Sequence, residues 1–244
     1  MLFGFFWGDW TVIVLLPAMI FAFIAQASVQ STFNRFNKVA TARRISGAEA
    51  ARRILDKNGL YQVKVERVRG HLSDHYDPRT ETLRLSEATH DSVSVAALGV
   101  AAHEAGHAIQ HAKGYAPLKL RMAMIPVTQF GSSLAMPLFL IGFFMSIYAA
   151  EGSVFGEFMM FAGIILFSLS TFFQLVTLPV EFNASRRAMT VLEESEILIG
   201  DELSGAKKTL NAAAMTYVAA LATSLAYLLR FLLLASSASG RRRN

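Results

Sequence analysis

Cysteine is absent from the 244 residues. That excludes disulfides, a thiolate nucleophile and a thiolate metal ligand, and leaves the redox compartment unmarked. Charge is also scarce: Asp, Glu, Lys and Arg make up 17% of the chain, against about a quarter in soluble domains. The scarcity is uneven. Windows 10–29, 124–148, 155–178 and 212–235 together hold two charged side chains, Glu157 and Arg230. This bimodal pattern excludes an ordinary soluble globular domain, a fibrous chain and a disordered one. Each window has at least 20 residues, enough to cross ~30 Å of hydrocarbon at ~1.5 Å per residue. Four membrane helices in contact with the lipid bilayer are expected. Arg230, near the end of the last, reads as a snorkelling side chain.

Lys and Arg number 23 against 18 Asp and Glu, a net charge of +5. No nucleic-acid recognition motif accompanies the excess, so it reads as the basic flanks of a membrane protein, and no nucleic-acid partner is expected. Segment 1–9 has no Lys or Arg. The positive region of a signal peptide is therefore missing, although Ala25-Gln26-Ala27 resembles a cleavage site, and a retained anchor is expected. Residues 31–123 carry 15 Lys+Arg and 181–211 carry four, whereas 149–154 carries none and includes Glu151. The positive-inside rule puts the two basic loops in the cytoplasm and the N-terminus outside. The tail Arg241-Arg242-Arg243 then falls outside, against the rule, which leaves open whether the fourth helix crosses fully.

The resulting organisation is a first membrane helix at 10–29, a polar α+β module at 30–123, helices at 124–148 and 155–178, a helical segment at 179–211 and a last helix at 212–235. Within the module, Ser46-Gly47-Ala48-Glu49 has the capping-box spacing ahead of a helical run through Ala51, Ile54 and Leu55, with Gly59 as its stop. Residues 61–68 alternate like a half-buried strand, and Tyr76-Asp77-Pro78-Arg79-Thr80 has turn chemistry. Thr82-Leu83-Arg84-Leu85 reads as the returning strand of a β-hairpin, followed after Ser86 by a long helix ending near Gly114.

That helix contains His103-Glu104-Ala105-Gly106-His107, an H-E-x-x-H pattern. Helical residues four apart share a face, so two imidazoles can grip one Zn²⁺. Glu104, next to the first, is placed to take a proton from water. Zinc hydrolases normally use three protein ligands and leave one position for water. His111 lies ~12 Å further along the axis than His103 and is rejected as the third, since Ala108-Ile109-Gln110 continues the helix. Glu181 is the better candidate. It follows Pro179, lies on the same side of the bilayer as the histidines, and needs a partner so close to the membrane boundary.

The runs Ala101–Gln110, Ser73-Asp74-His75-Tyr76-Asp77-Pro78 and Pro179-Val180-Glu181-Phe182-Asn183-Ala184-Ser185-Arg186-Arg187-Ala188 resemble the YugP family of bacterial neutral zinc metallopeptidases. The likeness covers roughly residues 30–235. It implies a gluzincin-type membrane peptidase, distantly similar to the HtpX class, with a zincin-like module in a mostly α membrane protein. Carried over by position, His103, His107 and Glu181 bind one Zn²⁺ and Glu104 is the base. The chain departs from the expected pattern at Asn183, where Asp is anticipated; if that carboxylate orients a ligand, Asn keeps the hydrogen bond but loses the charge.

Related enzymes add substrate to an edge strand beside the metal helix, for which Leu72–Tyr76, near His71, is the candidate. His75, Tyr76, Arg186 and Arg187 are candidates for oxyanion or substrate contacts. The reading is a zinc endopeptidase of the bacterial inner membrane, acting on peptides or proteins at the cytoplasmic surface. Two rivals stand beside it. A zinc-binding scaffold or chaperone with weak or no hydrolysis is kept open by Asn183. A metal transporter is disfavoured because the four windows hold no His or Asp. Small residues such as Gly142, Gly163 and Ser168 would permit close helix contacts, including a homo-oligomer.

Overall fold

A computed structural model describes residues 10–70, 73–148 and 153–240. A 3₁₀ turn, Trp10–Leu15, leads into α1, Leu16–Phe36. There follow α2 (Gly47–Lys57), β1 (Lys64–Val68), β2 (His75–Asp77), β3 (Thr82–Ser86), α3 (Glu87–His90) and α4 (Val95–Ala112). Three long helices complete the chain: α5 (Ala116–Tyr148), α6 (Val154–Glu194) and α7 (Asp201–Gly240). Helical segments Trp10–Phe36, Ala116–Tyr148, Val154–Glu194 and Asp201–Ala238 are long and apolar enough to cross a bilayer. The described residues are thus mostly helical, with one small sheet among them. The Arg241–Arg243 tail, Glu151, His71 and Leu72 lie outside the described residues.

Two compact units can be distinguished. The first draws on Met1–Ile24, Leu120–Val176 and Tyr217–Asn244. Its core is Phe139, Phe143, Met160, Ile164, Phe231 and Leu234, with Phe139 and Phe231 stacked at 4.4 Å between ring centroids. Phe130, Phe158 and Ile165 are exposed, as suits helices in an apolar surrounding. Thr171 and Ser224 hydroxyls pair at 2.7 Å between α6 and α7. Arg230 has a partner that snorkelling alone does not require: its Nε donates to Thr11 Oγ1 at 3.3 Å. Gly142 and Gly163 are consumed inside the chain, where a Cβ on either would collide with the facing helix. Ser168 Oγ donates to Ile164 O of its own helix. None of the three therefore speaks for an oligomer.

The second unit, Ala25–Lys119 with Thr177–Thr216, holds the sheet and most of the polar chemistry. The capping box forms as the spacing predicts: Ser46 Oγ accepts from Glu49 N at 3.1 Å. Helix α2 buries Ala50, Ala51, Ile54 and Leu55. It ends in a Schellman turn, with Leu60 N donating to Leu55 O and Gly59 N to Asp56 O, which needs the φ of +74° that Gly59 adopts.

The strand expectation needs correcting. The sheet order is β1-β3-β2, and β1 runs parallel to β3. The hairpin is instead β2 with β3, closed by the turn at Asp77-Pro78-Arg79-Thr80, with His75 opposite Arg84 and Asp77 opposite Thr82. Alternation locates a strand but carries no direction, and the short β2 was submerged in the turn residues around it. The helix expected after Ser86 is also broken. Ser94 interrupts it by capping α4 at Ala97 N (3.2 Å) and donating to Asn37 Oδ1 (2.8 Å).

Candidate metal centre

Helix α4 is rich in Ala, and its buried residues include Ala101, Ala102, Ala105 and Ala108. Small side chains let neighbouring backbone come near. The closest approach is at Gly106, where a Cβ would sit 2.6 Å from Ala184 O of α6. Gly106 is therefore what admits the 177–194 stretch of α6 against the His103–His107 turn of α4. Helix α6 continues through Pro179, so Glu181 lies within a helix rather than at its end.

The close packing brings His103, His107 and Glu181 together, one donor atom each, within 4.8 Å of one another. Glu181 is 2% exposed. Its Oε2 lies 3.3 Å from His103 Nε2 and 3.6 Å from His107 Nε2. The two imidazoles meet edge to face, at 4.8 Å and 86°. A buried carboxylate needs compensating charge or donors, and two imidazoles next to it are a metal-site donor set. Tetrahedral zinc with ~2.0–2.1 Å bonds has ligand atoms about 3.3–3.4 Å apart. The carboxylate-to-imidazole separations of 3.3 and 3.6 Å lie near that edge, while the three donors as a set spread to 4.8 Å, so the donor chemistry fits the ion and the imidazoles would close in on it. Burial works against charge on His107, but Glu181 and then Glu104 outweigh it and raise its pKa above the ordinary histidine value.

Each imidazole of the cluster is held from behind. His103 Nδ1 lies 3.1 Å from Ser185 Oγ, and His107 Nδ1 lies 3.0 Å from Gln110 Oε1. Glu104 is 8% exposed, and its Oε2 accepts from the backbone N–H of Tyr76 at 3.0 Å. Edge strand β2 thus anchors this carboxylate. The contact also occupies one backbone donor that a peptide added along the strand would want.

The other sequence candidates scatter. The Tyr76 hydroxyl lies 3.0 Å from His111 Nδ1. Burial, then Glu81 and Asp77, pushes that phenol up to about 12, so it stays protonated. His111 does not join the donor cluster. His75 is exposed and its Nδ1 donates to Ser73 O. Arg186 is exposed. Arg187 Nε donates to Asn183 Oδ1 at 2.8 Å, and Gln110 Nε2 donates to the same oxygen at 3.0 Å. Asn183 is therefore linked to His107 through Gln110. Gln110 and Ser185 escaped the sequence reading. The available signal was spacing: Gln110 is three residues after His107, and Ser185 four after Glu181, each one helical turn on.

Residues 11–236 match a family model described as "Putative neutral zinc metallopeptidase". The chain belongs to this family. It is also 46% identical, over 223 residues, to the "Putative membrane protease YugP" of Bacillus subtilis (strain 168), covering 91% of this chain and 95% of that protein. No solved structure matches. Membership implies zinc, and His103, His107 and Glu181 are where this chain offers ligands.

Proposed function

We propose that the chain is an integral-membrane zinc endopeptidase of the gluzincin kind, with a zincin-like module and one Zn²⁺ held by His103, His107 and Glu181. The observation that carries this is Glu181, brought from a distant helix to within 3.3 and 3.6 Å of the two imidazoles. The 15 Lys+Arg of residues 31–123 support a cytoplasmic site and an outside N-terminus.

When bound there, zinc supplies Lewis acidity, polarising a peptide carbonyl and making water a nucleophile near neutral pH. The protein does the rest. His103, His107 and Glu181 spend their lone pairs on the ion and leave Glu104 free. Glu104, fixed by Tyr76 N–H through one oxygen, accepts the proton of the attacking water. It then delivers that proton to the leaving amine nitrogen. Apolar burial around α4 keeps bulk water from competing for that carboxylate.

Replacing Glu104 with Gln removes the proton acceptor and leaves the three ligands intact. Cleavage of an unfolded protein should fall by roughly 10²–10⁴-fold, with zinc stoichiometry in detergent unchanged. Retained cleavage by this variant rules out the mechanism. Bound zinc with no cleavage by the wild type favours the scaffold reading instead.

A further inference from the structure

Gln110 is the one fully buried amide in the second unit's core helix, at 0% exposure among the side chains of α4. Burying an amide is costly unless all its groups are paired, and here they are. Nε2 donates to Val180 O at 2.8 Å and to Asn183 Oδ1 at 3.0 Å. Oε1 lies 3.0 Å from His107 Nδ1. The polarity of this network is not free. Val180 O is a backbone carbonyl and only accepts, so the Gln110 atom facing it is the NH₂ group. Arg187 only donates, so the Asn183 atom it meets is oxygen, which again calls for the Gln110 NH₂. The remaining Gln110 atom is therefore oxygen, and His107 Nδ1 must carry hydrogen. In the neutral ring, the form a metal ion takes, His107 Nε2 is then left with its lone pair, on the side of Glu181 Oε2.

We propose that Gln110 is a positioning residue. It sets the metal-ready tautomer of His107 and ties that ligand to the Val180–Asn183 turn bearing the third ligand. Arg187 sets the direction of the network through Asn183. His103 has no such arrangement, because its partner Ser185 has a hydroxyl that donates or accepts equally well. The network also accounts for Asn183: the position needs an acceptor for two donors, which the amide oxygen supplies without a carboxylate.

The proposal rests on the zinc site above, and its test separates the two. Full-length protein in detergent is titrated with zinc against a competing chelator. Gln110→Met keeps the volume and cannot pair, so zinc affinity should fall about 10–100-fold. Arg187→Met, further from the ion, should weaken binding by less. His107→Ala should lose high-affinity zinc altogether. Unchanged affinity in His107→Ala overturns the metal site. Loss there with affinity within twofold of wild type in Gln110→Met overturns the role of Gln110 alone. A merely structural amide would lower the metal-free melting temperature and leave affinity intact. If Gln110→Met does not fold, nitrogen-15 spectra of histidine-labelled, metal-free wild type decide the matter at a pH where the ring is neutral. Hydrogen on Nδ1 of His107 is expected, and hydrogen on Nε2 overturns the proposal.

Discussion

Single residues in this protein work through what holds them. Glu181 would be a costly buried charge in isolation, yet it has two imidazoles beside it, which makes the same burial a donor set that could hold a metal. Asp77 shows the same logic away from the metal. Its carboxylate accepts from Arg79 N, Thr80 Oγ1 and Arg84 Nη1, which pulls its pKa down to about 2. A depressed carboxylate pKa means the folded state prefers the charged form. Its contribution is present above the ordinary value near 4 and disappears as pH falls towards 2. Asp77→Asn should therefore melt below wild type at neutral pH, with the gap closing on acidification. Thermal melts at pH 7 and pH 3 test this, and a gap that does not change with pH contradicts the assignment.

At the scale of elements, the contact between α4 and the 177–194 stretch of α6 decides whether a site exists. Gly106 permits it, since a methyl there would meet the Ala184 carbonyl at 2.6 Å. Backbone cannot swing aside as a flexible side chain would, so one helix has to move. Gly106→Ala should cost about 1–3 kcal/mol by overpacking and should lower zinc occupancy while far-UV circular dichroism stays helical. Zinc occupancy equal to wild type would show that the helices tolerate a wider spacing. The sheet plays the complementary part. Its edge strand β2 is only three residues long, yet it donates the Tyr76 N–H that holds Glu104. The reversed sense of β1 leaves that role untouched, because β2 and not β1 lies beside α4.

For the whole molecule, the division into two units predicts how metal should matter. Among the described residues, the donor cluster belongs entirely to the second unit. An ion that binds only the folded state adds RT ln(1 + [L]/Kd), about 2.7 kcal/mol at a hundredfold excess over Kd. Chelation should lower the melting temperature of that unit and spare the apolar helices of the first. Calorimetry with and without chelator checks this, with His103→Ala as the control that should not respond. An equal shift in both transitions would mean that the zinc-binding unit does not melt by itself.

Much of this was legible in the chain before any coordinates. Apolar windows of 20 or more residues have one good home, and residues four apart on one helix share a face, so the four long helices and the His103–His107 pair followed from local rules. Glu181 was reachable through membrane topology, with the resemblance pointing to the same residue, since nothing local to it indicates a histidine partner nearly 80 residues away. What the sequence could not carry was relational. Strand direction in β1, the break at Ser94 and the route from Asn183 through Gln110 to His107 depend on which groups end up facing one another. Periodicity reports a face, and composition reports an environment. The partner of a buried hydrogen-bonding group is decided only when two distant helices pack, and here it was the bare backbone at Gly106 that let them.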